Sequence, residues 1–221
     1  MRQIIFHEKT KTFHLYNEKI SYILCVLENG HLGQLYFGKR LHDKADFSYL
    51  VEKCERPMTS YIYEWDRTFS LEHIRQEYPV YGTTDYRHPA IELLQENGSR
   101  ISEFTYVSHT VTDGKPKLSG LPATYTENDE EAQTLCIKLK DEVTGIVLEL
   151  LYTIFAQGGI ITRSARFTNE GTSLVHLLNA MSLSLDLPDK DYVWMQFSGA
   201  WSRERHVKER RLEQGIQSVG S

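Results

Sequence analysis

Residues 19–39 read KISYILCVLENGHLGQLYFGK, and this stretch decides the fold. Residues 19–27 are β-branched, aromatic and apolar with no helical period, the pattern of a strand. Glu28-Asn29-Gly30 stops it, and the Asn-Gly pair favours a tight hairpin turn because both residues tolerate φ > 0. Residues 31–39 set Leu32, Gln34 and Tyr36 against Gly33, Leu35 and Phe37, the alternation of a partner strand. Upstream, residues 4–6 and 12–16 read as shorter strands joined by the polar turn HEKTK. Four strands are expected before residue 40, and none of them has a helical alternative.

The pattern lapses over residues 40–64, where Pro57 excludes a central strand nearby, and a long excursion is expected. Residues 65–89, WDRTFSLEHIRQEYPVYGTTDYRHP, crowd Trp65, Phe69, Tyr78, Tyr81 and Tyr86 among charged side chains. Pro79, Gly82 and Pro89 break any long element. Only residues 70–74 suit a turn or two of helix, with Ser70 as N-cap and no reciprocal Glu or Gln at the third position. This reads as an ordered loop of flat aromatic faces and charged forks, the kind of segment that carries binding residues on a rigid scaffold. The plainer reading is a Tyr-rich loop packed on its own sheet.

After Pro89 strands are expected again over 90–94, 101–112, 132–139, 146–155, 160–169 and 175–187. Turn signals such as Asn97-Gly98, Asp113-Gly114 and Gly158-Gly159 punctuate them. The acidic run 127–131 reads as a solvated loop. Roughly eleven to thirteen strands exceed what one small sandwich holds. The fold class expected is all-β, a large antiparallel two-sheet β-sandwich, with residues 1–221 as a single domain. The tail is unusual. Residues 198–214 are charged and aromatic without a strand period, and a new strand is expected to begin at 215–219. A domain seldom ends as a strand starts, so the chain reads as part of something longer.

The chain has 221 residues and a net charge of −5, so no global field recruits nucleic acid or an anionic membrane. Three cysteines, Cys25, Cys54 and Cys136, lie far apart without a CxxC pair and give neither a disulfide framework nor a zinc site. Cys25 and Cys136 read as buried strand residues. The first residues contain too short an apolar run for a signal peptide, and no run approaches a membrane span. The expectation is a soluble, reduced, cytoplasmic protein without cofactor or metal.

Candidate chemistry is sparse. Glycoside hydrolysis needs two convergent carboxylates, and among Asp66, Glu77, Asp85 and Glu204 the sequence favours no pair. No GxSxG, HxH, HExxH or GxGxxG is present. The cluster Arg203, Arg205, Lys208, Arg210 and Arg211 is interleaved with Glu204, Glu209 and Glu213, and reads as a salt-linked interface. Aromatics beside charged forks remain. Rings cover the CH faces of a sugar, while Asp, Glu and Arg satisfy its hydroxyls. Trp65-Asp66-Arg67 and the segment from Trp201 to Arg205 have that chemistry, although Trp201 reads more readily as a plug in a domain contact.

Five stretches in order carry a resemblance: SLEHIRQEYPVYGTTDYRHPA (70–90), GKPKLSGLPATY (114–125), ITRSARFTNEG (161–171), SLDLPDKDY (184–192) and SGAWSRERHV (198–207). Together they closely resemble the N-terminal β-supersandwich domain, galactose mutarotase-like in fold, of bacterial family 36 glycoside hydrolases, the α-galactosidases or melibiases. The resemblance covers nearly the whole chain. It implies a (β/α)8 barrel and a small C-terminal β domain outside this chain, with the nucleophile and the acid/base in the barrel, so no catalytic residue is carried over. It implies a parent enzyme that hydrolyses terminal α-1,6-galactosides such as melibiose and raffinose with retention. It further implies a homotetramer in which a loop of this domain edges the galactose pocket of a neighbouring subunit. By that resemblance Arg67 matches an Arg of the pocket, Glu55 is the guess for its acidic companion, and Trp65 and Asp66 flank it. The alternative is a free-standing, lectin-like carbohydrate-binding module, and a third reading is a purely structural interaction domain.

Overall fold

The computed structural model describes residues 3–55, 63–82, 85, 87–120 and 123–220. Pro57 and Tyr86, used in the sequence reading, lie outside the described residues. The chain divides into two compact units, Met1–Asp186 and Leu187–Ser221.

Among the described residues the first unit contains ten strands. β1 (Ile4–His7), β2 (Thr12–Tyr16), β3 (Ile20–Val26) and β4 (Leu32–Lys39) form one antiparallel sheet in sequence order. β5 (Ile91–Gln95) pairs with β10 (Val175–Ala180), while β6 (Thr105–Asp113), β7 (Ala132–Lys140), β8 (Ile146–Phe155) and β9 (Ile161–Asn169) form a second four-stranded antiparallel meander. One apolar core draws on both four-stranded sheets: Phe13, Leu15, Tyr22 and Leu24 from the first, and Leu135, Ile137, Leu148, Leu150 and Tyr152 from the second. The structure is therefore the expected antiparallel all-β sandwich.

β3 explains why residues 19–27 lack alternation. Tyr22, Leu24 and Val26 face the inter-sheet core, while Ile23 and Cys25 on the other face join a separate cluster. Phe47, Phe69, Leu71 and Ile74 of the excursion complete that second cluster. A strand buried on both faces reads as a continuous apolar run. The same contacts pin residues 41–51 and 63–74 to the outer face of the first sheet. Ser70 begins a single turn there: its Oγ accepts the N–H of Glu72 and its carbonyl accepts the N–H of Ile74.

Two strand expectations in this unit need correction. The expected strand over 101–112 starts only at Thr105, because Ser102 bonds back to Tyr81 and Phe104 is buried in the core. The expected strand over 175–187 leaves its sheet after Ala180. Residues 181–186 are then held by other groups: the Tyr78 hydroxyl donates to Met181 O, Arg163 donates to Ser184 O, and Arg87 pairs with Asp186.

In the second unit β11 (Val193–Ala200) and β12 (Arg203–Arg211) form an antiparallel hairpin. Residues 203–211 are a strand although they show no strand period. All nine are exposed, so no face demands apolar residues. The guanidinium of Arg210 sits 4.6 Å from the centroid of its cross-strand partner Trp194. Residues 215–219, expected to open a strand, make none among the described residues. No described residue beyond Ile154 is buried.

Candidate functional site

The excursion ends in a tight reverse turn at Tyr63–Asp66. The Asp66 N–H donates to Tyr63 O at 2.8 Å, and Glu64 (φ 44°) and Trp65 (φ 71°) both occupy the left-handed region. Two successive left-handed residues suit Asn-Gly, and each residue with a Cβ there costs about 1–2 kcal/mol. Neighbouring contacts hold the turn against that strain. Asp66 Oδ1 accepts the Thr68 N–H at 2.8 Å and the Thr68 hydroxyl at 2.6 Å. Asp66 Oδ2 meets Lys53 Nζ at 3.2 Å, and Lys53 also reaches Glu28 at 2.7 Å. The Tyr63 hydroxyl donates to the backbone carbonyl of Glu28, and its ring packs 5.2 Å from Phe69. The Asn-Gly hairpin between β3 and β4 thus serves as the anchor of the turn.

The result is a rigid platform with its ring in solvent. Trp65 is 93% exposed. Glu55 and Arg67 are exposed as well, and the Cys54 N–H bonds to Thr68 O at 3.3 Å, which lays residues 54–55 beside 66–68. The four residues singled out from sequence, Glu55, Trp65, Asp66 and Arg67, therefore fall on two adjoining segments. The Asp66 carboxylate is already engaged. Hydrogen bonds from Thr68, with Lys53 adding to them, pull its pKa down to about 2, so it acts as the turn's internal brace.

The remaining candidate carboxylates have structural partners. Glu77 is fully buried: the Tyr22 hydroxyl donates to it at 2.6 Å, the Tyr152 hydroxyl at 2.9 Å, and Arg163 Nη2 lies 2.9 Å away. Burial pushes its carboxyl up, while Arg163 and the two phenols oppose that rise. Burial also works against the Arg163 charge, yet Tyr152, Glu77 and Tyr22 together hold that guanidinium above its ordinary value. Asp85 is buried too, and accepts from Gln76 and from the backbone N–H and Nε of Arg87. Arg87 in turn donates to the carbonyls of Leu71 and Ile74, tying the loop to itself. Glu204 Oε1 accepts the Ser202 N–H at the tip of the second hairpin, where Trp201 is 74% exposed. Neither Glu77 nor Asp85 is accessible to a substrate, so neither serves as an acid or base.

Sequence reasoning missed the companions of Glu77. A signal was present, since alternation in β9 places Arg163 on the side of Ile161 and Ala165, and an inward Arg demands a buried counter-charge. A second buried relay was also missed. His14 contacts Asp43 Oδ1 through Nδ1 at 2.8 Å and Ser21 Oγ through Nε2 at 2.9 Å, while the Leu41 N–H donates to Ser21 Oγ. His7 reaches the same Asp43 oxygen at 2.9 Å. The order resembles a nucleophile relay, but His14 and Ser21 are fully buried, so it fastens the start of the excursion to the sheet. Among the described residues no group of three His, Cys, Asp or Glu could hold a metal ion, and no helix is long and apolar enough to cross a membrane.

Residues 30–221 match the model of the glycosyl hydrolase family 36 N-terminal domain. The chain belongs to that family. It is 41% identical over 218 residues to the α-galactosidase AgaA of Geobacillus stearothermophilus, covering 99% of this chain and 30% of the relative. It is 36% identical to the α-galactosidase Mel36A of Lactobacillus acidophilus, again over 99% of this chain and 30% of the relative. The crystal structure of the α-galactosidase from Lactobacillus brevis superimposes with a TM-score of 0.92 at 40% identity, covering 97% of this chain and 29% of that one. A Geobacillus stearothermophilus AgaA variant in complex with raffinose gives 0.89 at 42% identity, covering 96% and 29%. This family 36 domain thus spans under a third of the length of these relatives.

Proposed function

We propose that this chain works as the non-catalytic N-terminal domain of a retaining α-galactosidase acting on terminal α-1,6-galactosides of the melibiose and raffinose type. The observation that carries the reading is the distribution of burial. The chain has a full inter-sheet core up to Ile154, while beyond it Leu177, Leu178, Met195, Phe197, Trp201 and Ile216 all stand exposed. So much apolar surface at one end of a chain calls for a covering protein surface. In this reading further domains of the parent, a barrel among them, and neighbouring subunits of a homotetramer cover it. The braced turn of Trp65, Asp66 and Arg67, with Glu55 beside it, borders the galactose pocket. A rigid indole presents a flat face to sugar CH groups, and Arg67 and Glu55 address hydroxyls. The proposal places the parent in the cytoplasm.

A chimera in which this chain replaces the matching segment of Geobacillus AgaA tests the proposal. Retained hydrolysis of melibiose, with KM raised about tenfold by Arg67→Ala or Trp65→Ala, supports it; tenfold corresponds to ~1.4 kcal/mol. Kinetics indifferent to both substitutions would remove the turn from the pocket. The lectin-like alternative predicts millimolar binding of galactose by this chain alone, abolished by Trp65→Ala.

A further inference from the structure

The sequence Glu-Asn-Gly occurs twice, at residues 28–30 and 96–98, and both copies form the same hairpin turn. At the first, the Leu27 N–H donates to His31 O at 2.8 Å and the Gly30 N–H to Leu27 O at 2.9 Å. At the second, the Gln95 N–H donates to Ser99 O and the Gly98 N–H to Gln95 O, both at 2.9 Å. Gly30 (φ 85°) and Gly98 (φ 82°) share the left-handed region. Each Asn side chain caps its turn: Asn29 Oδ1 accepts the His31 N–H at 3.2 Å, and Asn97 Oδ1 accepts the Ser99 N–H at 2.9 Å. Local sequence and turn geometry therefore give the two asparagines the same intrinsic chemistry.

Tertiary contacts separate them. The first turn is clamped: the Tyr63 hydroxyl donates to Glu28 O, Lys53 pairs with the Glu28 carboxylate at 2.7 Å, and the Tyr106 N–H donates to Gly30 O at 2.9 Å. A Cβ on Gly30 would meet Thr105 Cβ at 3.3 Å, whereas the same point on Gly98 has no atom within 4 Å. Asn29 is half-buried, while Glu96, Asn97 and Gly98 are all exposed. The Leu174 N–H, 3.2 Å from Glu96 Oε1, ties this second tip to the β9–β10 connection. An Asn followed by Gly cyclises once its turn opens, because no side chain shields the next amide. Exposed tips open at little free-energy cost, and clamped ones open only with the structure that holds them. We propose that Asn97 is a site of spontaneous deamidation and isoaspartate formation, and that Asn29 is protected from it. The Gly98 nitrogen bonds to Asn97 Cγ, its proton leaves with the side-chain nitrogen as ammonia, and water opens the resulting succinimide at either carbonyl. The product carries a new carboxylate next to Glu96, and its isoaspartyl form adds a methylene to the backbone just beyond β5. Protection falls on the copy that anchors the Trp65 turn, but the chemistry at Asn97 does not depend on that turn's role in galactoside hydrolysis.

Peptide mapping by mass spectrometry tests this on the purified 221-residue chain, aged in heavy-oxygen water at mildly alkaline pH, both native and unfolded in guanidinium chloride. Opening of either succinimide by solvent marks the converted residue with the heavy isotope. In the native chain, label should enter Asn97 at least about fivefold faster than Asn29. In the unfolded chain the ratio should fall to about one, because the two copies share their sequence and the clamps on the first are gone. The proposal is overturned if the native ratio is below about fivefold, Asn97 staying unlabelled included, or if the ratio persists undiminished in guanidinium chloride.

Discussion

Replacing Arg163 with Met would expose the energetics of the sandwich centre. The substitution keeps the aliphatic stem but leaves Glu77, with no solvent exposure, without its cation. It also removes the hydrogen bond to Ser184 O and the guanidinium 4.9 Å from the Tyr152 ring centroid. Breaking a buried ion pair from one side costs about 3–5 kcal/mol. With a urea m-value of about 2–3 kcal/mol/M, the midpoint should fall by roughly 1–2.5 M at pH 8. The pH dependence gives the sharper test. Without Arg163, the upward push of burial on the Glu77 carboxyl is opposed only by the phenols, so the folded value rises well above the unfolded one near 4.5. A raised carboxyl loses stability as pH climbs through that value, so the deficit of the variant should be largest at pH 8 and shrink toward pH 5. Adding Glu77→Gln should restore part of the stability at pH 8, because the stranded charge is gone. Equilibrium urea titrations followed by circular dichroism would decide. A midpoint drop under about 0.3 M, or one equal at both pH values, would refute the reasoning.

Other perturbations have signs fixed by the structure. His14 has its pKa lowered, chiefly by burial and despite Asp43, so stability should decline as pH falls through the unfolded value near 6.5. His14→Asn should flatten that decline in thermal melts. A Cβ on Gly171 would sit 2.2 Å from Thr144 O, so Gly171→Ala should cost about 1–3 kcal/mol in denaturant titrations. The Cys25 thiol is buried and pushed up to about 12, whereas Cys54 is exposed. Iodoacetamide on the native chain should label Cys54 and spare Cys25 until unfolding, as peptide mass mapping would show. Trp65→Ala should shift the chain's own stability by less than about 0.5 kcal/mol, since the ring touches mostly solvent.

Much of the fold was legible because turn residues and alternation agreed. The Asn29-Gly30 hairpin, the double-sided burial of β3 and the alternation of β7 each follow from local sequence. β12 was not legible, because a strand exposed on both faces carries no period. The Tyr63–Asp66 turn hid for the opposite reason: Glu64 and Trp65 are poor left-handed residues, and contacts with Thr68, Lys53, Glu28 and Phe69 stabilise them there. Sequence singled out Trp65 and Asp66 together, but not that Asp66 braces the turn while Trp65 faces outward. Nor could spacing show that Glu77, Tyr22, Tyr152 and Arg163 meet, since strand register across two sheets brings them together.

In the proposed function this domain supports α-galactoside hydrolysis without performing it. The most direct test is an assay of the purified 221-residue chain on p-nitrophenyl α-D-galactopyranoside, beside the AgaA chimera at equal concentration. The account predicts turnover by the chimera and none by the isolated chain. Hydrolysis by the isolated chain that survives repurification would contradict it.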